Sequence, residues 1–329
     1  MIHDQRRRKG RKRTTAKTFE QIGGVVKLPA QNTIIRDRLI EAAGLQAETD
    51  QDITFQHSIF CQTSLPYRNP GLDVRRWQRR QGDALLEIEA GRAFHPGLND
   101  FVDAPLPCGP KARLILMHLN SEAVRAQSPH IDVGESLTSF VKRIGIDPKG
   151  RNVNLVRDQV TALSCSIIRL GFSNGVQAKQ MNAIVVDGFE LWLPKDENQR
   201  VLWPSFVELN QRYFDSLMEH AVPLDERAIA ALSHSAMALD IYAWLAQRLH
   251  RIPKPHRQLI PWVAVKDQFG QGYKELYKFR QVFMEALRQV HAVYRHAKID
   301  VTDKGLFLYT SPPPVSRTGV VIKIPATSK

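Results

Sequence analysis

The chain has 329 residues, of which 43% are hydrophobic, 24% charged and 8% aromatic. That balance excludes collagen, wholesale disorder and a disulfide scaffold, and the length predicts two domains. Lys and Arg outnumber Asp and Glu by 46 to 33, a net charge of +13, which favours a polyanionic partner over a mere solubility surplus. No run of about 20 apolar residues reads as a membrane span, and no apolar stretch follows the basic start. The expectation is a cytoplasmic protein without a membrane partner. An acidic membrane surface is disfavoured because no amphipathic segment accompanies the charge.

The first twenty residues carry Arg6, Arg7, Arg8, Lys9, Arg11, Lys12, Arg13 and Lys17 against Asp4 and Glu20. Such a run repels itself, so residues 1–50 are expected to be a largely disordered basic arm, with one short helix at 33–47. Its cations are DNA-binding candidates through phosphate contact, a solvated tail being the alternative. The stretch 51–107 is turn-rich, with a hairpin from Val74–Arg80 through Gly82 into Ala84–Glu89. Four arginines around Trp77 suit a nucleic-acid surface or an exposed strand face equally. From Pro110 the pattern turns helical. A short helix over 136–144 closes at Gly145. After the turn Asp147–Gly150, the spacing of Val156, Val160, Leu163, Ile167 and Leu170 predicts one helix ended by Gly171. Strands follow at about 175–186 and 188–193. Three helices and a ribbon, the second and third helix joined by a tight turn, are the order of a winged helix, a helix-turn-helix variant.

The order recurs. Lys195–Arg200 reads as a linker and Ser205–Leu209 as a strand. Asp225 caps a short helix to Leu232, and Ser235 opens a longer one. His250–Arg257 is a proline-broken loop, and Pro261 starts a helix. Gly270 and Gly272 bracket the turn of the second helix-turn-helix. A long helix spans 274–296, and Lys298–Val301 with Leu306–Tyr309 makes a last hairpin. The expected fold is α+β. Two tandem winged-helix domains occupy 51–197 (with its N-terminal hairpin) and 198–315, the second reading DNA, before a tail at 316–329.

The long helix carries the candidate site. Phe279, Phe283, Leu287 and Val290 make a core stripe, while Lys274, Lys278, Gln281, Arg288 and Arg295 recur on the other side. In a helix-turn-helix the start of the second helix meets base edges, which assigns Lys274, Tyr277, Lys278 and Gln281 to the groove. Arg280, Arg288, Arg295 and Lys304 complete the candidate set. The first domain offers a thinner face: Arg151, Asn152, Arg157 and Arg169. A solvated basic face is the competing reading.

Catalytic patterns are missing. There is no Walker-type loop and no G-x-G-x-x-G. His291 and His296 are five apart, so a paired-histidine metal site lacks its ligands. Glu87 and Glu89 share a strand face that suits solvent better than Mg²⁺. Tyr67 and Tyr213 have no activating neighbour in sequence. Cys61, Cys108 and Cys165 form no C-x-x-C motif, and Cys165 reads as apolar filler. The expectation is a non-enzyme without cofactor or metal.

The run Phe60-Cys61-Gln62-Thr63-Ser64-Leu65-Pro66-Tyr67-Arg68-Asn69-Pro70 resembles the plasmid-encoded RepA replication proteins. So do Cys108–Leu116, Ser121–Arg125, Ala238–Leu245, Gln268-Phe269-Gly270 and the tail Gly305–Pro314. The likeness spans about 55–315 and leaves out the basic arm. It implies a role like that of iteron-binding initiators. Those have two winged-helix domains, bind direct repeats in double-stranded origin DNA, promote duplex opening, recruit the host initiator and replicative helicase, and often repress their own gene as homodimers. Copy control of a plasmid follows. A winged-helix transcriptional repressor without an initiator role is the alternative. No catalytic residue carries over.

Overall fold

The computed structural model describes residues 33–45, 52–95, 97–134, 136–173, 178–188 and 206–315. The arm cations Arg6 to Arg13, the linker 195–200, all but the first residue of the strand expected at 188–193 and the tail 316–329 lie outside the described residues. In chain order, α1 (Thr33–Leu45) precedes β1 (Ile53–His57), α2 (Ser58–Gln62), the hairpin β2 (Arg76–Gln81) with β3 (Ala84–Glu89), and a second hairpin, β4 (Arg92–His95) with β5 (Asp100–Asp103). Then come α3 (Gly109–Ala126), β6 (His130–Asp132), α4 (Leu137–Arg143), α5 (Gly150–Cys165), β7 (Ile167–Ser173), β8 (Ala178–Ile184) and β9 (Val186–Gly188). β10 (Phe206–Leu209), α6 (Gln211–His220), β11 (Ala221–Asp225), α7 (Glu226–Leu232) and α8 (Ala236–Arg248) follow. The chain ends on β12 (Arg257–Pro261), α9 (Trp262–Phe269), α10 (Leu276–Val293), β13 (Ile299–Val301) and β14 (Gly305–Tyr309). The fold is α+β.

Two hydrophobic cores lie side by side and share two helices, α3 and the short α2, whose Cys61 enters the second core and whose Ile59 and Phe60 enter the first. Leu114 and Met117 of α3 enter the second core, while Ile115, Leu116, Leu119 and Val124 enter the first. A helix apolar on nearly every side has to be covered on every side. The first core is backed by an antiparallel sheet of order β2-β3-β7-β8. In β3 the alternation is clean: Ala84, Leu86 and Ile88 are buried and Leu85, Glu87 and Glu89 half-buried. Asn120 anchors α3 to two other elements, donating to Gln56 Oε1 (2.7 Å) and accepting from Tyr213 Oη (2.8 Å). The second core is aromatic: Phe269 lies 5.3 Å from Trp244 and 5.6 Å from Phe283, ring to ring, and Phe283 meets Trp262 and Phe279.

Both halves run helix, strand, helix, helix, hairpin: α3-β6-α4-α5-β7-β8, then α8-β12-α9-α10-β13-β14. In the second, β14 sits between β12 and β13 in one sheet. In the first, β10 is inserted between β6 and β9, so the equivalent sheet is split.

Several expectations are corrected. The stripe that ran to Leu170 changes period: α5 stops at Cys165, and Ile167 to Leu170 belong to β7. Gly171 is a strand residue, not a helix cap. The stretch 51–107 is more ordered than its prolines imply, holding β1, α2, β4 and β5. β1 is paired, residue for residue, with the distant β11. The sequence 257–261, read as the end of a loop and a helix start, is a sheet strand whose Pro261 N-caps α9. Val207, Leu209, Tyr213 and Leu217 pack in the first core, so the change of core falls at about residue 221 rather than 198. Leu39 and Ala42 of α1, part of the expected arm, are buried in the second core beside α7 and α10.

Candidate nucleic-acid interface

The second helix pair is held by its turn. Gly270 ends α9 with φ −103°, and its amide donates to Lys266 O. A side chain there would stand 2.7 Å from that same carbonyl oxygen and 2.8 Å from Phe279 Cδ2. Gly272 is open to solvent but has φ +87°, a left-handed backbone that glycine alone adopts freely. The two glycines thus serve the turn for different reasons, close approach at one and backbone hand at the other.

That turn sets the entry of α10. Phe279, Phe283, Ala286, Leu287, Val290 and Val293 fill the core. Tyr277, Lys278, Gln281 and Arg288 are left exposed on the opposite side. Lys278 Nζ sits 5.8 Å from the Tyr277 ring, a loose contact that leaves the ammonium in water. Lys274 is exposed but precedes the helix, which begins at Leu276, and its carbonyl accepts a bond from Lys266 Nζ. Arg280 is turned aside: its guanidinium lies 4.6 Å from the Trp262 ring and 3.9 Å from Asp303. It splints α10 to α9 and the hairpin. Arg295 is exposed just past the helix end.

The β13–β14 hairpin stands beside the start of α9. Trp262 donates through its amide to Lys304 O (3.2 Å) and through Nε1 to Thr302 O (2.8 Å). Lys304 is exposed at the hairpin turn. Arg257, on the outer strand β12, lies over Phe307 at 4.4 Å. This further exposed cation was masked in the sequence by the expected loop.

The first half presents less. Arg151 is exposed at the start of α5, but Asn152 bonds Asp147 O (2.9 Å) and Arg157 bonds Asn154 Oδ1 (3.1 Å). Arg169 is not on that helix at all: from β7 it bridges Glu87 (2.9 Å) and Glu89 (2.8 Å) on the neighbouring β3. Those hydrogen bonds hold the Glu89 carboxyl below its ordinary range. Glu87 and Glu89 are therefore counter-ions on an inner strand of the sheet.

No group of three or more His, Cys, Asp and Glu side chains is placed to hold a metal among the described residues. Burial raises the Tyr67 and Tyr213 phenols above their ordinary values, keeping both protonated. No helix among the described residues is long and apolar enough to cross a membrane.

Arg113 and Asp240 escaped the sequence reading. Both lie inside apolar runs, which was the available signal. Arg113 Nε and Nη2 grip Asp240 Oδ1 and Oδ2 at 2.6 and 2.8 Å, and both side chains are buried.

No curated protein matches the sequence. Among solved structures, a crystal structure of RctB domains 2–3 (RctB-155-483) is similar with a TM-score of 0.44 and 11% identity, covering 75% of this chain and 87% of that one. A selenomethionine derivative of domains 2 and 3 of RctB is similar with a TM-score of 0.45 and 8% identity, covering 82% and 99%. The family described as plasmid encoded RepA protein matches residues 106–264, from just before α3 into α9. That segment, just under half of the chain, is similar to the plasmid encoded RepA proteins.

Proposed function

We propose that this protein is a plasmid replication initiator. It binds repeated sequences in double-stranded origin DNA through two winged-helix units, promotes duplex opening, and recruits the host initiator and replicative helicase. The observation that carries the reading is the pairing of the RepA match with the exposed face of α10. Tyr277, Lys278, Gln281 and Arg288 stand clear of the core behind a fixed glycine turn and beside a hairpin bearing Lys304. A face of this kind fits a major groove, with the hairpin against the adjoining backbone. The net charge of +13 supports the same partner. The first unit contributes a lesser contact through Arg151, and the arm cations Arg6 to Arg13 lie along phosphates. Autorepression, a homodimeric form and a cytoplasmic location belong to the same proposal.

The test is replication itself. A selectable circle lacking any other origin should be maintained when it carries this gene with its flanking DNA. It should be lost when Lys278 and Gln281 are both changed to Ala. A repressor without initiator role would bind the flanking DNA yet never maintain the circle.

A further inference from the structure

Arg113 and Asp240 join corresponding parts of the two halves. Arg113 lies on α3, the first helix of the first unit, and Asp240 on α8, the first helix of the second. All five guanidinium hydrogens are engaged. Nε donates to Asp240 Oδ1, and Nη2 to Asp240 Oδ2 and Leu65 O (2.8 Å). Nη1 donates to Pro66 O (3.2 Å) and Gly109 O (2.8 Å). The same fork therefore ties α8 to α3 and to the loop that carries Tyr67, whose ring lies 5.1 Å from the guanidinium. Asp240 is buried, and burial pushes its carboxyl up while Arg113 pulls it down.

The rest of the junction is extensive and combines one backbone ladder with apolar packing. β1 pairs with β11, α2 packs on α8, and Gln268 donates to Gln62 O (3.0 Å). Apolar contact holds surfaces together without choosing one rotation between them. A bidentate fork accepts a narrow range of angles. A buried ion pair adds little net stability over apolar residues of similar volume, so its effect is better sought in specificity.

We infer that the Arg113–Asp240 brace fixes the angle and separation of the two DNA-reading units, and so sets the spacing between contact patches that the protein tolerates. Arg113 and Asp240 are positioning residues. This rests on the DNA-binding reading above, and both units must touch one duplex.

The experiment uses the full chain and the footprinted duplex from its own flanking DNA, with 1, 2 or 5 base pairs inserted between the two contact patches. Each inserted pair turns one patch by about a tenth of a helical turn. Wild type should lose affinity on the order of 100-fold once both units cannot engage together. Arg113→Met combined with Asp240→Leu keeps the volume apolar and should fold. It should bind the natural spacing somewhat more weakly and lose less than about tenfold on insertion. Arg113→Lys, which retains charge but not the fork, should relax spacing in the same direction. Insertion penalties equal to wild type in both variants would overturn the brace while leaving DNA binding intact. A wild type indifferent to insertion would do the same. Failure of wild type to bind the duplex at all would overturn the functional reading, and the brace with it.

Discussion

His57 shows how one buried side chain ties stability to pH. Its Nδ1 accepts from the Ile59 amide at the start of α2, and its Nε2 faces Ser216 Oγ at 3.1 Å. The first contact requires an unprotonated Nδ1, so the proton sits on Nε2 and is donated to Ser216. Burial, with His220 nearby, lowers the pKa from 6.5 to about 3. The unfolded chain therefore binds this proton first as pH falls, and folded stability declines below pH 6.5. The loss at pH 5 should be about 2 kcal/mol. His57→Asn keeps an N-cap acceptor and should flatten that decline in urea unfolding at pH 7 and pH 5. His118, held down to about 4 chiefly by burial, should preserve part of the slope. An unchanged slope in the variant would remove His57 from the account. The glycines of the α9–α10 turn make a second residue-level test. Gly272→Ala meets open space and should cost about 1 kcal/mol for its backbone hand. Gly270→Ala drives Cβ against a backbone oxygen and a buried ring and should cost about 2–3 kcal/mol. Thermal unfolding that ranks them the other way would contradict this division. Position and type were legible in the sequence at both glycines; the reason at Gly270 was not, because it depends on Phe279 folding back from the next helix. Arg113 and Asp240 stayed hidden for a like reason. A charge inside an apolar run announces burial but not its partner 127 residues away.

At the scale of elements, α10 was the most readable and α5 the most misleading. Both carry an apolar stripe at steps of three and four. In α10 the stripe is long, and glycines stop the preceding helix. In the first half Ile167, Ile168 and Leu170 follow α5 with no Gly or Pro between, so the helical period runs on by chance into β7. Only strand pairing with β3 and β8 decides the matter, and that is non-local. The strands β1 and β12 were missed similarly, since each is defined by a partner far along the chain. On α10 the exposed face divides along its length. Gln281 stands in the first turns, where the proposed function puts direct readout. Arg288 lies two turns further, where on the same proposal the helix would leave the groove for the backbone. Gln281→Ala should lose about 1–3 kcal/mol on the cognate repeat and little on a scrambled duplex. Arg288→Ala should weaken both and lower the salt slope by about one unit. Titrations of the two duplexes across a salt series check both. Equal losses on both duplexes for Gln281→Ala would assign this face to partner contact.

For the whole molecule, the repeated order of helices and a closing hairpin was visible from local pattern alone, but the strand after the first helix of each half, β6 and β12, was not. Nor was the way the halves interlock. α3 serves two cores, β10 and α6 return to the first, and α1 covers the second. These are long-range burials that no spacing encodes. The central claim is that two reading units act on one duplex, with α10 the principal one. Hydroxyl-radical footprinting on the DNA flanking the gene tests it most directly. Each bound copy should protect two patches on one face of the duplex, about one helical turn apart, repeating along the site. In Lys278→Ala with Gln281→Ala, the patch belonging to α10 should vanish first while the other persists at higher protein concentration. A single patch per copy, or two patches that both survive the α10 substitutions unchanged, would contradict the account.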